Sequence, residues 1–388
     1  MNIFKIIFYF KFLLYTIIDV LILTIHYKNN IKKIDSLVIV KTDNIGDYVL
    51  FRNFLSEIKK IKKFKDTKIT LIGNEAYKDM ALKFDKRYVD NFIWVNNKKF
   101  RGNIFYRINL LFKLKNNNYR YLLNAMYSRD FFTSDWISKW IYSDKKIAFN
   151  GDLINQYDFQ RKYSDNWYDS LVTSNTKNNI FEFYRYKNFF EFFFKKKINI
   201  KKTYFKNFNF NKISKFKLKN YICLFIDAGE KEKKYSIDNF LKIAQLIIKN
   251  TNYKIVILGG KEFNNFPSLD RKYYKNLLGK TTLEELVLII KNSKLLISND
   301  SCAQHIAAAT DTKCIVIYAG LQLNRFLPYP KRHYPNHITV VHHLKKKNRQ
   351  KKSNQEKLNN KYELDINDIK IEEIKKSIKF LLKKNIKL

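Results

Sequence analysis

The stretch "VIVKTDNIGDYVL", residues 38 to 50, decides the fold. Its β-branched run reads as a buried strand, and the polar residues from Lys41 to Asn44 end it. Apolar residues resume at Tyr48 with helical spacing, so the segment reads as strand, turn and helix. Gly46 stands in the turn of a chain that has only nine glycines in 388 residues. A glycine there permits backbone conformations that other residues resist. Asp47 follows it directly. An acid at a helix start is favoured by the helix dipole without any function, and it is equally the residue type of a general base.

The same alternation extends in both directions. Strands are expected at "SLVIV" (36–40), "KITLI" (68–72), "NFIWV" (91–95), "YRYLLNA" (119–125) and "KKIAF" (145–149), with helical patterns such as "DYVLFRNFLSEIKKI" (47–61) between them. From about 150 to 215 the pattern blurs into aromatic, lysine-rich sequence, read as a peripheral helix and an interdomain link. A second alternation follows, with strands "YICLFIDA" (221–228), "KIVILGG" (254–260), "KLLISND" (294–300) and "KCIVIYAG" (313–320). Ser236 is placed to cap the helix after the first of these, and Thr282 with Glu285 forms a capping box for another. Residues 344–361 read as a charged loop, and an amphipathic helix over 368–384 closes the chain. Two such alternations predict an α/β protein with two parallel sheets.

Seven glycines, Gly46, Gly73, Gly229, Gly259, Gly260, Gly279 and Gly320, fall at or just after the expected strands or short apolar runs. Ligands of open α/β sheets bind outside the carboxyl ends of the strands, so this distribution suggests a ligand held between two domains.

Composition narrows the partners. The hydrophobic fraction of 46% and aromatic fraction of 16% supply ample core. The formal net charge of +40 favours anionic surfaces, although Lys, Asn, Ile, Phe and Tyr dominate throughout as in a general compositional bias. Nucleic-acid recognition motifs are absent from the sequence, so membrane proximity is the preferred meaning and no nucleic-acid partner is expected. Cys223, Cys302 and Cys314 are scattered, which suits free thiols and forms no metal-ligand pattern. Residues 3–25 are nearly all apolar but are interrupted by Lys5, Lys11 and Asp19. A helix lying in the membrane interface and anchored by Lys28, Lys32 and Lys33 is expected, against the alternatives of packing on the body or spanning the bilayer.

Further stretches carry candidate chemistry. In "ISNDSCAQHIAAA" (297–309), Asp300 or Ser301 ends a strand and caps a helix, and the exposed N–H groups of residues 301–304 suit a diphosphate. His305, one turn on, is either structural or ligand-facing. "GEKEKKYS" (229–236) sets lysines just before a helix start; most such lysines are solvated, but one beside a diphosphate offsets its growing charge. Glu262 follows paired glycines, where an acid can accept from ribose hydroxyls.

Together these stretches resemble glycosyltransferase family 9, the ADP-heptose:lipopolysaccharide heptosyltransferases. The likeness runs over roughly 37–330 with the closing helix. It is most specific at "VIVKTDNIGDYVL", "ISNDSCAQHIAAA" and "LLGKTTLEELVLIIKNSKLLISND". The resemblance implies a GT-B fold, two Rossmann-like domains facing a central cleft, and an inverting transfer from a nucleotide sugar without cofactor or obligatory metal. It implies Asp47 as catalytic base and Lys233 as a contact of the donor phosphates, with Tyr235 standing where the family has Trp. It further implies donor binding by Asn44, Gly46, Glu262, Asp300, Ser301, Cys302, Ala303 and His305. Lys41 and Asn44 take the places of frequent arginines, and Cys302 that of a glycine. The expected organisation is a membrane-associating helix over 1–36, an acceptor domain over 37–205, a nucleotide-sugar domain over 206–345, and a basic loop with a helix over 346–388. The expected partners are a nucleotide-sugar donor, an anionic glycolipid or glycan acceptor and a membrane surface, at the cytoplasmic face of a bacterial inner membrane.

Overall fold

A computed structural model of the chain describes residues 3–25, 33–115, 118–173, 180–260, 270, 272–320, 323–342 and 365–382. They form two compact units. The first comprises Met1–Asp43, Ile58–Lys78 and Arg87–Ser174; the second comprises Asn44–Glu57, Asp79–Lys86 and Asn175–Leu388.

Helix α1 (Ile3–Ile25) leads into strand β1 (Lys33–Lys41), helices α2 (Ile45–Phe51) and α3 (Asn53–Lys60), and strand β2 (Lys68–Asn74). Helix α4 (Lys78–Phe84), strand β3 (Asn91–Val95) and helices α5 (Asn97–Gly102) and α6 (Ile104–Lys115) follow. Strand β4 (Asn118–Asn124), helix α7 (Trp136–Trp140), strand β5 (Tyr142–Phe149), helix α8 (Asp158–Asp165) and strand β6 (Ser170–Val172) complete the first sheet. Its order is β3-β2-β1-β4-β5-β6, parallel throughout.

In the second unit, helix α9 (Glu182–Phe194) precedes β7 (Tyr221–Phe225), α10 (Ile237–Asn250), β8 (Lys254–Leu258) and β9 (Tyr274–Asn276). Then come α11 (Leu283–Asn292), β10 (Leu296–Asn299), α12 (Cys302–Ala309), β11 (Cys314–Tyr318), β12 (His337–Val341) and α13 (Ile371–Leu382). This sheet is also parallel, in the order β12-β11-β10-β7-β8-β9. Counted from its own first strand, it repeats the order of the first sheet. Such sheets carry helices on both faces, so their strands read as continuous apolar runs. Leu37–Val40, Ile222–Leu224 and Ile315–Ile317 are accordingly fully buried. The expected strands are all present. The three that the sequence did not flag, β6, β9 and β12, are edge strands with one neighbour each, and the first two are only three residues long. The expected caps form as well: the Ser236 side chain accepts from the Asn239 N–H, and Thr282 and Glu285 make a reciprocal box.

Helix α2 lies early in the chain yet belongs to the second unit. Buried polar contacts explain its placement. The Arg52 guanidinium grips the Asp85 carboxylate through two bonds, Nε to Oδ2 at 3.0 Å and Nη2 to Oδ1 at 2.7 Å. The Tyr48 hydroxyl donates to the same Oδ2 at 2.8 Å. Asn53 Oδ1 accepts from Thr203 Oγ1 at 3.0 Å and the Tyr204 N–H at 2.9 Å, while the Phe205 N–H donates to Ala309 O at 3.0 Å. Thr203 Oγ1 also donates to Val49 O in α2 at 2.5 Å, so the segment 203–205 ties α2 and the start of α3 to the end of α12. A buried ion pair persists only when both partners and their remaining hydrogen-bonding groups are satisfied, which fixes where this helix can sit.

The aromatic segment read as peripheral is not so. In α9, Phe183, Tyr186, Phe189 and Phe190 are fully buried, and Phe190 stacks on Phe54 at 5.2 Å between centroids. Arg325 Nε donates to Glu182 Oε2 at 2.9 Å and fastens the start of α9. The helix looked peripheral because lysines follow its end, whereas its apolar face fills the core beside α2.

Helix α1 packs one stripe on the first unit. Phe8, Tyr15 and Ile18 are buried among Phe131, Trp136 and Ile137, and the Tyr15 hydroxyl donates to Arg101 O at 2.5 Å. The opposite stripe is exposed and apolar: Ile6, Phe10, Leu13, Ile17 and Val20 all stand in solvent, Phe10 at 72%. No helix among the described residues is long and apolar enough to cross a membrane. The charged segment at 344–361 and the anchoring lysines Lys28 and Lys32 lie outside the described residues, as does the side chain of Lys33.

Candidate active site

The candidate residues gather at the amino ends of two helices in the second unit. β10 delivers Asp300, and Ser301 caps α12, its Oγ accepting from the Ala303 N–H at 3.3 Å. Ser301 Oγ is itself held 3.0 Å from Ser298 Oγ. Ala303 is wholly buried, and its N–H is taken by that cap. Asn44 stands before α2 as an exposed residue without a side-chain cap bond, and its carbonyl accepts from the Tyr48 N–H at 3.1 Å.

Gly46 answers to space and not to backbone angle. It lies inside α2 and is not among the glycines with positive φ, contrary to the conformational reason read from the sequence. A Cβ at position 46 would lie 2.7 Å from His305 Cδ2 and 3.2 Å from its Nε2, with Cys302 Cα at 3.8 Å. Contacts under 3 Å do not occur between packed carbon atoms without displacement. The imidazole therefore lies directly against the first turn of α2, and α12 meets α2 there.

The next residue is Asp47, half-buried in that first turn. Its charge reaches Asp300, whose carboxyl is held above the usual carboxylate range chiefly by burial, with Glu230 and Asp47 adding to the rise and Lys233 opposing it. Lys233 Nζ is 3.9 Å from Asp300 Oδ2 and 3.5 Å from Glu230 Oε2. Such long pairs are weak, which leaves this ammonium free to turn toward an incoming anion. Gln304 donates to Asp300 Oδ1 and fixes the carboxylate. The loop carrying Lys233 is pinned where Tyr235 enters the core: its N–H donates to Asn299 Oδ1 at 3.1 Å and its hydroxyl to Ile369 O at 2.7 Å.

Cys302 is partly exposed, but burial and the nearby Asp227 carboxylate push its thiol up to about 12, so it stays a neutral thiol. His305 is buried; burial first, then Lys233, lowers its pKa to about 3. Its Nδ1 meets the hydroxyl of Tyr329. Tyr329 in turn lies 4.2 Å, between ring centroids, from His337. Burial, with His305 adding, likewise brings His337 to about 3. Glu262 lies outside the described residues. Lys41, in the first unit, is fully buried and pairs with Asp43.

Three neighbours were not singled out from the sequence. Asp227 lies two residues past β7 and its Oδ2 accepts from the Gly260 N–H at 3.0 Å, while Lys234 Nζ lies 3.0 Å from its Oδ1. An acid closing the apolar run "YICLFID" is the signal that marks it. Gln304, one turn beyond Asp300, follows helical spacing. Tyr329 sits in the irregular stretch "FLPYPKRHYP" and carries no such pattern.

The model of "Glycosyltransferase family 9 (heptosyltransferase)" matches residues 107–359 of this chain. "Lipopolysaccharide heptosyltransferase 1" of Campylobacter coli is 23% identical over 307 residues, covering 73% of this chain and 84% of that protein. Among solved structures, E. coli ADP-heptose lps heptosyltransferase II has a TM-score of 0.63 at 15% identity, covering 89% of this chain and 98% of that one. E. coli heptosyltransferase WaaC with ADP-2-deoxy-2-fluoro heptose has a TM-score of 0.59 at 15% identity, covering 79% and 92%. The two-sheet α/β architecture is thus the GT-B type with two Rossmann-like domains.

The buried imidazoles give the fold an acid-labile term. In the unfolded chain histidine titrates near ~6.5, but His305 and His337 in the fold titrate only near about 3. Between those values the unfolded state binds more protons, so stability falls as pH falls, by about 1.4 kcal/mol per pH unit for each ring. Replacing His337→Phe should remove about 2 kcal/mol of the stability lost between pH 7 and pH 5, read by urea unfolding at both pH values. An unchanged pH dependence contradicts the assignment.

Proposed function

The chain belongs to glycosyltransferase family 9 and is a glycosyltransferase; from that premise we propose an inverting transfer of a heptose from ADP-heptose to a lipopolysaccharide-core or related surface glycan. One observation carries the reading: Asp47 and Lys233 each lie within electrostatic reach of Asp300, at the capped start of α12, in a single unit. Asp47, favoured as a carboxylate by the α2 dipole, takes the proton of the acceptor hydroxyl as that oxygen attacks the anomeric carbon. The bond to the diphosphate oxygen breaks on the opposite side, which inverts the configuration. Lys233 and the N–H groups at the start of α12 receive the charge that grows on the departing diphosphate. Asp300, which burial inclines toward the protonated form, opposes that charge less than an ordinary carboxylate would. Two solved structures of E. coli heptosyltransferase WaaC, one with ADP-2-deoxy-2-fluoro heptose and one with ADP, support adenine as the nucleotide base.

The acceptor is assigned to the unit built on the first sheet, where α1 supplies its outward apolar stripe. With the basic charge of the chain, that stripe fits an anionic lipid surface of the kind that carries a glycolipid acceptor. The activity is accordingly assigned to the cytoplasmic face of a bacterial inner membrane.

Asp47→Asn should lower kcat by ~10²–10⁴-fold while ADP still raises the melting temperature of the variant as it does that of the parent. Near-normal turnover in Asp47→Asn, or stabilisation by UDP or GDP and not by ADP, overturns the reading. For the membrane face, Phe10→Glu with Ile17→Glu should abolish sedimentation with anionic phospholipid vesicles and leave the far-ultraviolet circular dichroism unchanged. Undiminished sedimentation removes α1 from that role.

A further inference from the structure

His305 lies against Gly46, the residue before Asp47 in sequence, and its tautomer decides whether it can act as a proton acceptor there. The ring has two nitrogens with different surroundings. Nδ1 meets the Tyr329 hydroxyl, and the Nε2–Cδ2 edge faces Gly46, beside Asp47. Tyr329 is almost wholly buried, wedged by Phe181 at 4.8 Å and Tyr334 at 4.6 Å between centroids, so its ring has no freedom to turn its oxygen elsewhere. Among the described residues, His305 is the one hydrogen-bond partner of that hydroxyl. A buried phenol must spend its proton on an acceptor, because leaving the O–H without one costs more than the bond itself contributes. If Nδ1 carried the imidazole proton, two donors would face each other or the phenol O–H would point at nothing.

We infer that Tyr329 is a positioning residue that donates its O–H to His305 Nδ1 and so fixes the proton of the neutral imidazole on Nε2, making His305 a hydrogen-bond donor to ligand oxygen and never a base. Burial and Lys233, which keep the ring uncharged at neutral pH, are consistent with this. The Nε2–Cδ2 edge faces Gly46, and among the described residues no hydrogen bond at Nε2 consumes its proton. A sugar or phosphate oxygen of the bound nucleotide sugar is the acceptor class it fits. The inference rests on the proposed transfer only for the identity of that ligand.

The test is ¹⁵N NMR of the full-length protein labelled at histidine, without substrate, with the His305 signals assigned from their loss in His305→Gln. The parent should show a pyridine-type Nδ1 and a pyrrole-type Nε2, and Tyr329→Phe should shift both toward tautomer-averaged values. In steady-state assays Tyr329→Phe should lower kcat/KM about three- to tenfold, the scale of one hydrogen bond, while His305→Gln, which keeps a donor near the Nε2 position, should be indifferent to the added Tyr329→Phe change. A pyrrole-type Nδ1 in the parent, or a Tyr329→Phe spectrum identical to the parent's, overturns the inference. Because the spectrum is read without turnover, a failed Asp47 prediction with the expected tautomer would count against the transfer reading alone.

Discussion

The contact between Gly46 and His305 is the constraint on which the site depends. With no side chain at position 46, the imidazole of α12 can lie against the first turn of α2, and the acid that follows in sequence is delivered to the edge where β10 ends. Everything else in the region serves that approach. Arg52, Asp85 and Tyr48 hold α2 from behind through buried, charge-assisted bonds, and the segment 203–205 bonds to Val49 in α2 and to Ala309 in α12. The Tyr186 and Phe190 rings pack on Phe51 at its end and on Phe54 just beyond it. A helix early in the chain is thereby made part of the unit that carries the second sheet, and the proposed base and phosphate-binding groups share one rigid neighbourhood. Preorganised groups of that kind require no rearrangement at the moment of reaction.

Electrostatics in this neighbourhood are arranged by burial more than by pairing. Asp300 is raised, Cys302 is kept as a thiol, and His305 is kept neutral, each first of all because burial disfavours its charged form. Lys233 is the exception, joined to its acids at 3.5 and 3.9 Å with its side chain about a quarter exposed. One loosely paired cation among such muted groups suits the proposed departure of a nucleoside diphosphate, whose charge grows as the bond breaks.

Much of this was legible in the sequence, for identifiable reasons. Runs such as "SLVIV" and "KCIVIYAG" announce strands because both sheet faces are covered, and Ser236, Thr282 and Ser301 announce helix starts because their side chains bond the free N–H groups. Gly46 stood out through scarcity, but its reason was misread: it makes room for His305 and leaves the backbone ordinary. What the sequence concealed was tertiary. Nothing local signals that Arg52 will find Asp85 or that Tyr329 will stand behind His305, since those pairs join segments 33 and 24 residues apart. Nor does the lysine-rich end of α9 disclose that its aromatic face is core. In α1, by contrast, the interrupted apolar run allowed packing on the body or an outward apolar face, and the helix does both on opposite stripes.

The central claim is that position 46 is glycine to admit His305, and a double-mutant cycle on unfolding stability tests it most directly. Gly46→Ala should cost ~1–3 kcal/mol in the parent, the scale of overpacking, and should cost nothing, or even stabilise α2, in a His305→Ala background where the added methyl has room. Equal losses in the two backgrounds would mean that the two helices do not meet at this point, and the site built on their meeting would have to be abandoned.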